Sequence, residues 1–350
     1  MSKFVIWCAG LLALRASVVV AAPVDTLRVV AVGDVMLGTA YPNRSFLPPD
    51  NDCSPLMASV KPFLQKADVA FCNLEGALTD DLRDVKSCRD TTVCYAFAMP
   101  TAYAKCLADA GFNLVSIANN HTGDFGDAGR KSTVEALKQQ GIVYAGLLSC
   151  PTAIIERGGV KIGFCAFSPN KGTCSVNDYG EAEKIVRGLD SVCDVVVVSF
   201  HAGAEGAGMR HVTRKTEMFV GENRGNVYEF ARRMIDAGGD ILLGHGPHVT
   251  RAVDIYKGRF IAYSMGNFCT YSRINLRGVN GIAPLLLLSV DRQGKFLSGK
   301  IISTYQEREV LGVQIDEQRR VIREIQQLTK EDFPKTKIRI DDNGNIITNH

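Results

Sequence analysis

The sequence predicts an α/β fold, and three observations carry that prediction. Apolar runs rich in β-branched residues alternate with segments of helical length, which is the pattern of a layered α/β protein. The runs are continuous rather than alternating, as in strands buried on both faces of a sheet. Five of them stop at a residue able to bind a metal or a proton. A chain of 350 residues, 46% hydrophobic and 22% charged, suits a globular protein with a large core and excludes a disordered one. A net charge of +3 and a pI of about 8.2 are too balanced for a dedicated nucleic-acid binder, so no nucleic acid is expected as a partner.

Taken in order, residues 1–22 read as a secretory signal peptide. Lys3 supplies the positive start, Phe4 to Leu14 the apolar core and Val20-Ala21-Ala22 the small-residue cleavage site. An uncleaved N-terminal anchor is the alternative, although Arg15 leaves the apolar run short of a span of about 20 residues. An exported protein follows, whether periplasmic, at the cell surface or secreted. Eleven cysteines become ten once Cys8 is removed, an even number suited to disulfides. Cys72 and Cys165 lie inside apolar runs, and Cys53, Cys88, Cys94 and Cys174 in polar loops, with Cys88–Cys94 the favoured bridge.

The strongest strands are Leu27–Val32, Val69–Cys72, Leu114–Ala118, Val195–Phe200 and Ile241–Leu243. Helical segments run from Pro55 to Lys66, Thr101 to Ala110, Asp127 to Gln140 and Asn226 to Ala237. Weaker strands, Thr152–Ile155 with Val160–Phe167 and Pro284–Val290 with Phe296–Thr304, are spaced as antiparallel hairpins, and Arg259–Tyr263 is a further strand. The polar loop from Thr79 to Met99 reads as a functional cover or a disulfide-pinned decoration. Residues 23–305 form the main domain. Residues 306–350 read as a charged extension with a helix from Asp316 to Leu328 and a terminal hairpin.

The five strong strands end at Asp34, at Asn73 and Glu75, at Asn120 and His121, at His201 and at His245, with His248 three residues further on. Such ends converge on one edge of a sheet, where ligand crevices form. The chain has six histidines, and four of them belong to this set. Asp34, Glu75, Asn120, His121, His201, His245 and His248 offer oxygen and imidazole donors without thiolate. That donor set suits one or two divalent ions such as manganese, iron or zinc. Two such ions about 3.5–4 Å apart activate water for hydrolysis. Glu205 is either a general acid or base or a salt-bridged loop residue, and Asp124 either orients His121 or caps a loop. Arg210, His211, Arg214, Lys215 and Arg224 form a basic cluster that is either a rim for a polyanion or a solvated face. Asn267 either lines the site or caps a turn.

Six stretches occur in an order that resembles the bacterial capsule-synthesis CapA family. They are Gly33-Asp34-Val-Met-Leu-Gly38, Asn73-Leu-Glu75-Gly76, Asn119-Asn120-His121-Thr-Gly-Asp124, Ser199-Phe-His201, Gly244-His245-Gly-Pro-His248-Val and Tyr263-Ser-Met-Gly266-Asn267-Phe268. That family is linked to poly-γ-glutamate capsules and is similar to the calcineurin-like metallophosphoesterases. The resemblance implies a four-layer α/β/β/α sandwich with a metal site at one end of its sheets. It implies Asp34, Glu75, Asn120, His121, His201, His245 and His248 as metal ligands, with Asp34, Glu75, His121 and His201 in the catalytic set, to which Glu205 is added on its position four residues after His201. Met36 stands where the phosphoesterase pattern has a histidine, the closing pair is His-x-x-His in place of His-x-His, and Glu75 is longer by a methylene than the usual aspartate. The expected function is metal-dependent hydrolysis of an anionic cell-envelope polymer, poly-γ-glutamate or a phosphorylated glycan, with Arg210, Arg214 and Asn267 binding substrate. Capsule-synthesis membrane proteins are further expected partners. The alternatives are a non-catalytic accessory of polymer assembly and a secreted phosphoesterase.

Overall fold

The computed structural model describes residues 26–87 and 94–348. The expected signal peptide and Cys88, with its expected bridge to Cys94, lie outside the described residues. In chain order the elements begin with β1 (Thr26–Met36), α1 (Lys61–Leu64), β2 (Val69–Leu74), β3 (Ala77–Leu78), β4 (Ala98–Met99), α2 (Tyr103–Ala110), β5 (Leu114–Ser116) and α3 (Gly126–Gln139). The middle contains β6 (Val143–Ala145), β7 (Thr152–Arg157), β8 (Val160–Phe167), α4 (Tyr179–Asp190), β9 (Val195–His201), β10 (Met218–Phe219), β11 (Glu222–Asn223), α5 (Val227–Asp236) and β12 (Ile241–His245). The chain closes with β13 (Val253–Tyr256), β14 (Arg259–Ala262), β15 (Asn267–Thr270), β16 (Ile282–Asp291), β17 (Phe296–Tyr305), β18 (Gln314–Ile315), α6 (Arg320–Asp332), β19 (Ile338–Ile340) and β20 (Asn345–Thr348).

Two sheets carry the architecture. The larger has the order β19-β20-β17-β16-β1-β2-β5-β6, with β15 added to β1 and β18 to β17; the smaller has the order β13-β14-β12-β9-β8-β7. Their centres are parallel, β1 with β2 and β5, and β8 with β9 and β12. Side-chain alternation along each strand builds three apolar layers. Val29, Phe71, Phe164, Val197 and Leu243 meet between the sheets. Val30 and Ala70 face outward onto Leu64, Leu107 and Leu137 of α1, α2 and α3. Val196, Val198 and Leu242 face the opposite way onto Val186 of α4 and Phe230 and Met234 of α5. Helices, sheet, sheet, helices is the α/β/β/α sandwich. Burial on both faces is why these strands read as unbroken apolar runs.

The helix expected from Pro55 to Lys66 is instead a 3-10 turn, Ser54–Met57, followed by the four-residue α1. Pro55 and Pro62 each lack the N–H that a continuous helix would use. Helix α4 and strands β6, β13 and β15 were not among the sequence-based expectations, and α6 starts at Arg320 rather than Asp316. Asp316 sits just ahead of α6 and accepts the Arg320 N–H at 2.8 Å. The charged C-terminal stretch is built into the fold. Hairpin β19–β20 extends the large sheet through β17, and α6 buries Val321, Ile322 and Ile325 in the inter-sheet core. Cys53 is bridged to Cys106 of α2, joining the 3-10 segment to that helix. Cys174, expected in a polar loop, is buried and free, as are Cys72 and Cys165. Among the described residues, no helix is long and apolar enough to cross a membrane.

Candidate metal centre

Register brings the strand ends together. Asp34 of β1 lies opposite Asn73 of β2 on one side and Asn267 of β15 on the other, and His201 of β9 lies opposite His245 of β12. Gly33 makes the first of these approaches feasible. A Cβ there would meet the Gly266 carbonyl oxygen at 2.0 Å, and the next residue, Asp34, donates its N–H to that carbonyl at 2.8 Å. The turn after β12 is equally constrained. Gly246 adopts φ +112, and a Cβ there would meet the Ala202 backbone oxygen at 2.8 Å. His248, with a side chain, is held at φ +56. A non-glycine residue in that region is uncommon and marks a functional constraint more often than chance. It is this backbone that lets both rings of a His-x-x-His spacing turn to one centre.

Asp34, Glu75 and His248 each offer a ligand atom, all within 4.8 Å of one another. Asp34 Oδ1 accepts from Asn73 Nδ2 at 2.9 Å and lies 3.0 Å from His245 Nδ1. His248 Nδ1 is 3.3 Å from Asp34 Oδ2, and its Nε2 is 3.4 Å from Glu75 Oε1. His201 Nε2 approaches the same Glu75 oxygen at 3.5 Å. Burial works against charge on Asp34, yet the neighbouring His245 and His248 hold its carboxyl well below the usual range. Burial, together with the Asp34 charge, pushes Glu75 up to about 8. Burial and then Arg224 push His201 well below an ordinary histidine. Burial opposes the His248 proton, but Glu75 and Asp34 raise that ring to about 10.

The decisive feature is what these groups lack. Asp34 Oδ2, both Glu75 oxygens, Asn120 Oδ1, both His201 nitrogens and His245 Nε2 are buried with no hydrogen-bond partner among the described residues. A buried polar atom left unsatisfied costs about 1–3 kcal/mol, and a domain's whole stability is only about 5–15 kcal/mol. These seven atoms lie at the ends of two sheets, where Asp34 and Glu75, with His248, offer ligand atoms close enough to fit a divalent cation. All seven are oxygen or imidazole nitrogen, the donors that manganese, iron and zinc accept.

Around this centre lies a cavity of about 660 Å³. His121 lines it, with Nδ1 fixed 2.8 Å from Asp124 Oδ2 and its ring 4.3 Å from that of Phe97. Asp124 also accepts the Phe97 N–H at 2.8 Å and pairs with Lys86 at 2.6 Å, so it orients His121. Glu205 lies 3.9 Å from His248 Nε2 but is clamped by Arg224 at 2.6 Å. Asn267 Oδ1 is 3.0 Å from His248 Nδ1, and its Nδ2 donates to the His248 carbonyl at 3.2 Å.

Residues 28–272 match the family model described as bacterial capsule synthesis protein PGA_cap, a span that covers most of the chain. The chain belongs to the bacterial capsule synthesis protein family. It is similar to the capsule biosynthesis protein CapA of Bacillus anthracis, 27% identical over 266 residues that cover 70% of this chain and 60% of that protein. The PGA biosynthesis protein CapA of Bacillus subtilis is 27% identical over 260 residues, 70% of this chain and 63% of its own length. The chain therefore spans less than two thirds of these relatives. A hypothetical protein from Thermus thermophilus aligns with 80% of this chain and all of its own, at a TM-score of 0.48 and 15% identity.

In this capsule synthesis protein, Asp34, Glu75, Asn120, His121, His201, Glu205, His245, His248 and Asn267 are brought together at the strand ends. Arg210 and Arg214, expected to bind substrate, are not. Arg210 pairs with Glu324 at 2.6 Å, and Arg214 donates to the Asp332 carbonyl at 2.6 Å, so both are bound to α6, as is His211 through Asp332 at 2.8 Å. The cavity instead receives Lys86, Tyr95, Phe219 and Arg273. Their contribution was not identified from sequence. Only the length and polarity of the Thr79–Met99 loop hinted at the first two.

Proposed function

We propose that this capsule synthesis family member is an exported, metal-dependent hydrolase acting on an anionic cell-envelope polymer, poly-γ-glutamate or a phosphorylated glycan. The observation that carries this reading is the set of seven buried, unpartnered oxygen and nitrogen atoms at the strand ends. Asp34, Glu75, Asn120, His201, His245 and His248 would hold one or two divalent ions, which supply Lewis-acid activation of water and of the bond to be cut. Asn73 and Asn267 fix Asp34 and His248. His121, pinned through Nδ1 to Asp124, keeps Nε2 for proton transfer to the leaving group. Export is supported by the signal-like first 22 residues and by the Cys53–Cys106 bridge. The polymer class is supported by the similarity to the capsule and PGA biosynthesis proteins of the two Bacillus species.

The test is metal analysis of the purified protein with turnover of poly-γ-glutamate. Bound manganese, iron or zinc that is lost in His201→Ala, together with metal-dependent depolymerisation, is expected. Protein without transition metal after reconstitution would sink the hydrolase. One observation favours a second reading, a non-catalytic polymer-binding accessory. Met36 occupies the position of a phosphoesterase imidazole, and its sulfur instead accepts the Gly38 N–H at 3.3 Å. Metal binding without turnover of any polymer would select that reading.

A further inference from the structure

Three lysine and arginine side chains reach the cavity beside the metal centre, and two of them are paired with carboxylates. Lys86 is paired with Asp124 at 2.6 Å. Arg224 is buried between Glu205 at 2.6 Å and Glu222 at 3.1 Å. Arg273 has neither a carboxylate nor a hydrogen-bond acceptor as partner among the described residues. It is held instead by two aromatic faces, its guanidinium carbon 5.0 Å from the ring centroid of Phe46 and 5.0 Å from that of Tyr95. Stacking of this kind orients a guanidinium while leaving its N–H edge free to donate. The backbone is committed to the same end, with Ser272 at φ +62 and Arg273 at φ +54, two successive residues in a region that favours glycine. A half-buried, uncompensated cation on the wall of a cavity, gripped by residues from two distant segments, has no evident structural duty.

We infer that Arg273 is a specificity-determining residue that binds a carboxylate of the substrate at a wall of the cavity apart from the metal centre. The inference rests on the hydrolase-site reading above and narrows its substrate to one that carries a free carboxylate. A planar monoanion matches the fork of one guanidinium in both geometry and charge. Tyr95, Phe219 and the exposed Val220 add an apolar stretch to the wall, suited to an aliphatic segment beside the charged group.

The experiment is calorimetric titration of the manganese-loaded full chain with γ-linked pentaglutamate and with the same oligomer whose free carboxylates are amidated. Arg273→Gln is expected to weaken pentaglutamate binding about 10- to 100-fold, the range of one charge-assisted pair. Arg273→Lys should restore part of the loss, and the amidated oligomer should bind the unaltered protein as weakly as pentaglutamate binds Arg273→Gln. Tyr95→Leu, which keeps the charge and removes one ring, should weaken binding by a smaller factor and serves if Arg273→Gln fails to fold. Undiminished pentaglutamate binding by Arg273→Gln, equal binding of the two oligomers, or no binding of either to the unaltered protein overturns the inference. Manganese affinity is measured in parallel and should be the same in every variant. Failure of the unaltered protein to bind manganese overturns the metal-centre reading instead, so the two failures are separable.

Discussion

Two regions of this molecule are equally rich in charged and imidazole groups, yet they differ in what those groups touch. At the strand ends, Asp34, Glu75, Asn120, His201 and His245 carry buried atoms with no hydrogen-bond partner among the described residues. In the segment between β9 and α5, Arg210, His211, Arg214, Glu217 and Arg224 are each matched to a partner. The fold supplies partners for the charges of the second region and leaves atoms of the first open. Residue type alone does not reveal this difference, because both regions look alike as lists of residues.

The sharpest way to break the comparison is to unpair the paired region. Arg251 and Glu217 are buried, with two contacts at 2.9 and 2.7 Å, and Arg251 also holds the Met209 carbonyl at 2.8 Å. Glu217→Ala leaves an uncompensated guanidinium in the core, and a loss of about 3–5 kcal/mol is expected. Urea denaturation measures it, and a loss under about 1 kcal/mol would contradict the structural role assigned here. The converse is Glu75→Gln. Burial and then Asp34 push the Glu75 carboxyl up to about 8, so its charge adds little to the stability of the metal-free protein. A neutral isostere should leave metal-free stability unchanged within about 1 kcal/mol. Manganese affinity should fall about 100-fold or more, since a charged ligand is gone. A variant that binds manganese as before would remove Glu75 from the site.

Those outcomes bear on how much could be read from sequence. The sandwich was legible because strands buried on both faces are apolar at every position, as in Val195–Val198, and because each strong run ended at a polar residue. Helix α4 escaped notice although Ala182, Val186 and Leu189 line one face of it, since charged residues outnumber these small apolar contacts. Strand β15 escaped because it is four residues long and gains its burial by pairing with β1, more than 200 positions earlier in the chain. The metal-type ligands were legible one strand at a time, without needing their partners. Arg210 and Arg214 were misread for the opposite reason. Their partners Glu324 and Asp332 lie 114 and 118 residues away, so nothing local shows that the charges are matched. Arg273 depends likewise on Phe46 and Tyr95, and nothing in its own neighbourhood announces a binding residue.

A group at the other end of β12 tests whether pairing always outweighs burial. Asp240 accepts the Val196 N–H at 2.7 Å and faces Arg259 at 3.0 Å, yet burial pushes its carboxyl up to about 6. For an acid raised in the folded state the sign is fixed. Between about pH 4 and 6 the native chain keeps a proton that the unfolded chain has released, so stability falls as pH rises through that window and is level above it. The loss attached to Asp240 is about 1–3 kcal/mol. Asp240→Asn keeps an acceptor for Val196 and should flatten that part of the stability profile. An unchanged slope between pH 4 and 6 would assign it to other carboxyls.

The smallest expected effect belongs to the arginines that the sequence offered as substrate ligands. Arg214 donates to the Asp332 carbonyl and lies 4.9 Å from the Tyr228 ring centroid and 5.5 Å from that of Phe333. Arg214→Ala therefore removes one hydrogen bond and two cation–π contacts, each worth about 0.5 kcal/mol at an exposed site. A stability loss of about 1–2 kcal/mol is expected. Arg210→Ala breaks one partly exposed pair with Glu324 and should cost less than about 1 kcal/mol. Neither change should alter manganese affinity or pentaglutamate binding, because both side chains point to α6 rather than to the cavity. Weakened pentaglutamate binding in Arg214→Ala at unchanged stability would return that residue to the substrate path and would show that a paired cation can still serve a ligand.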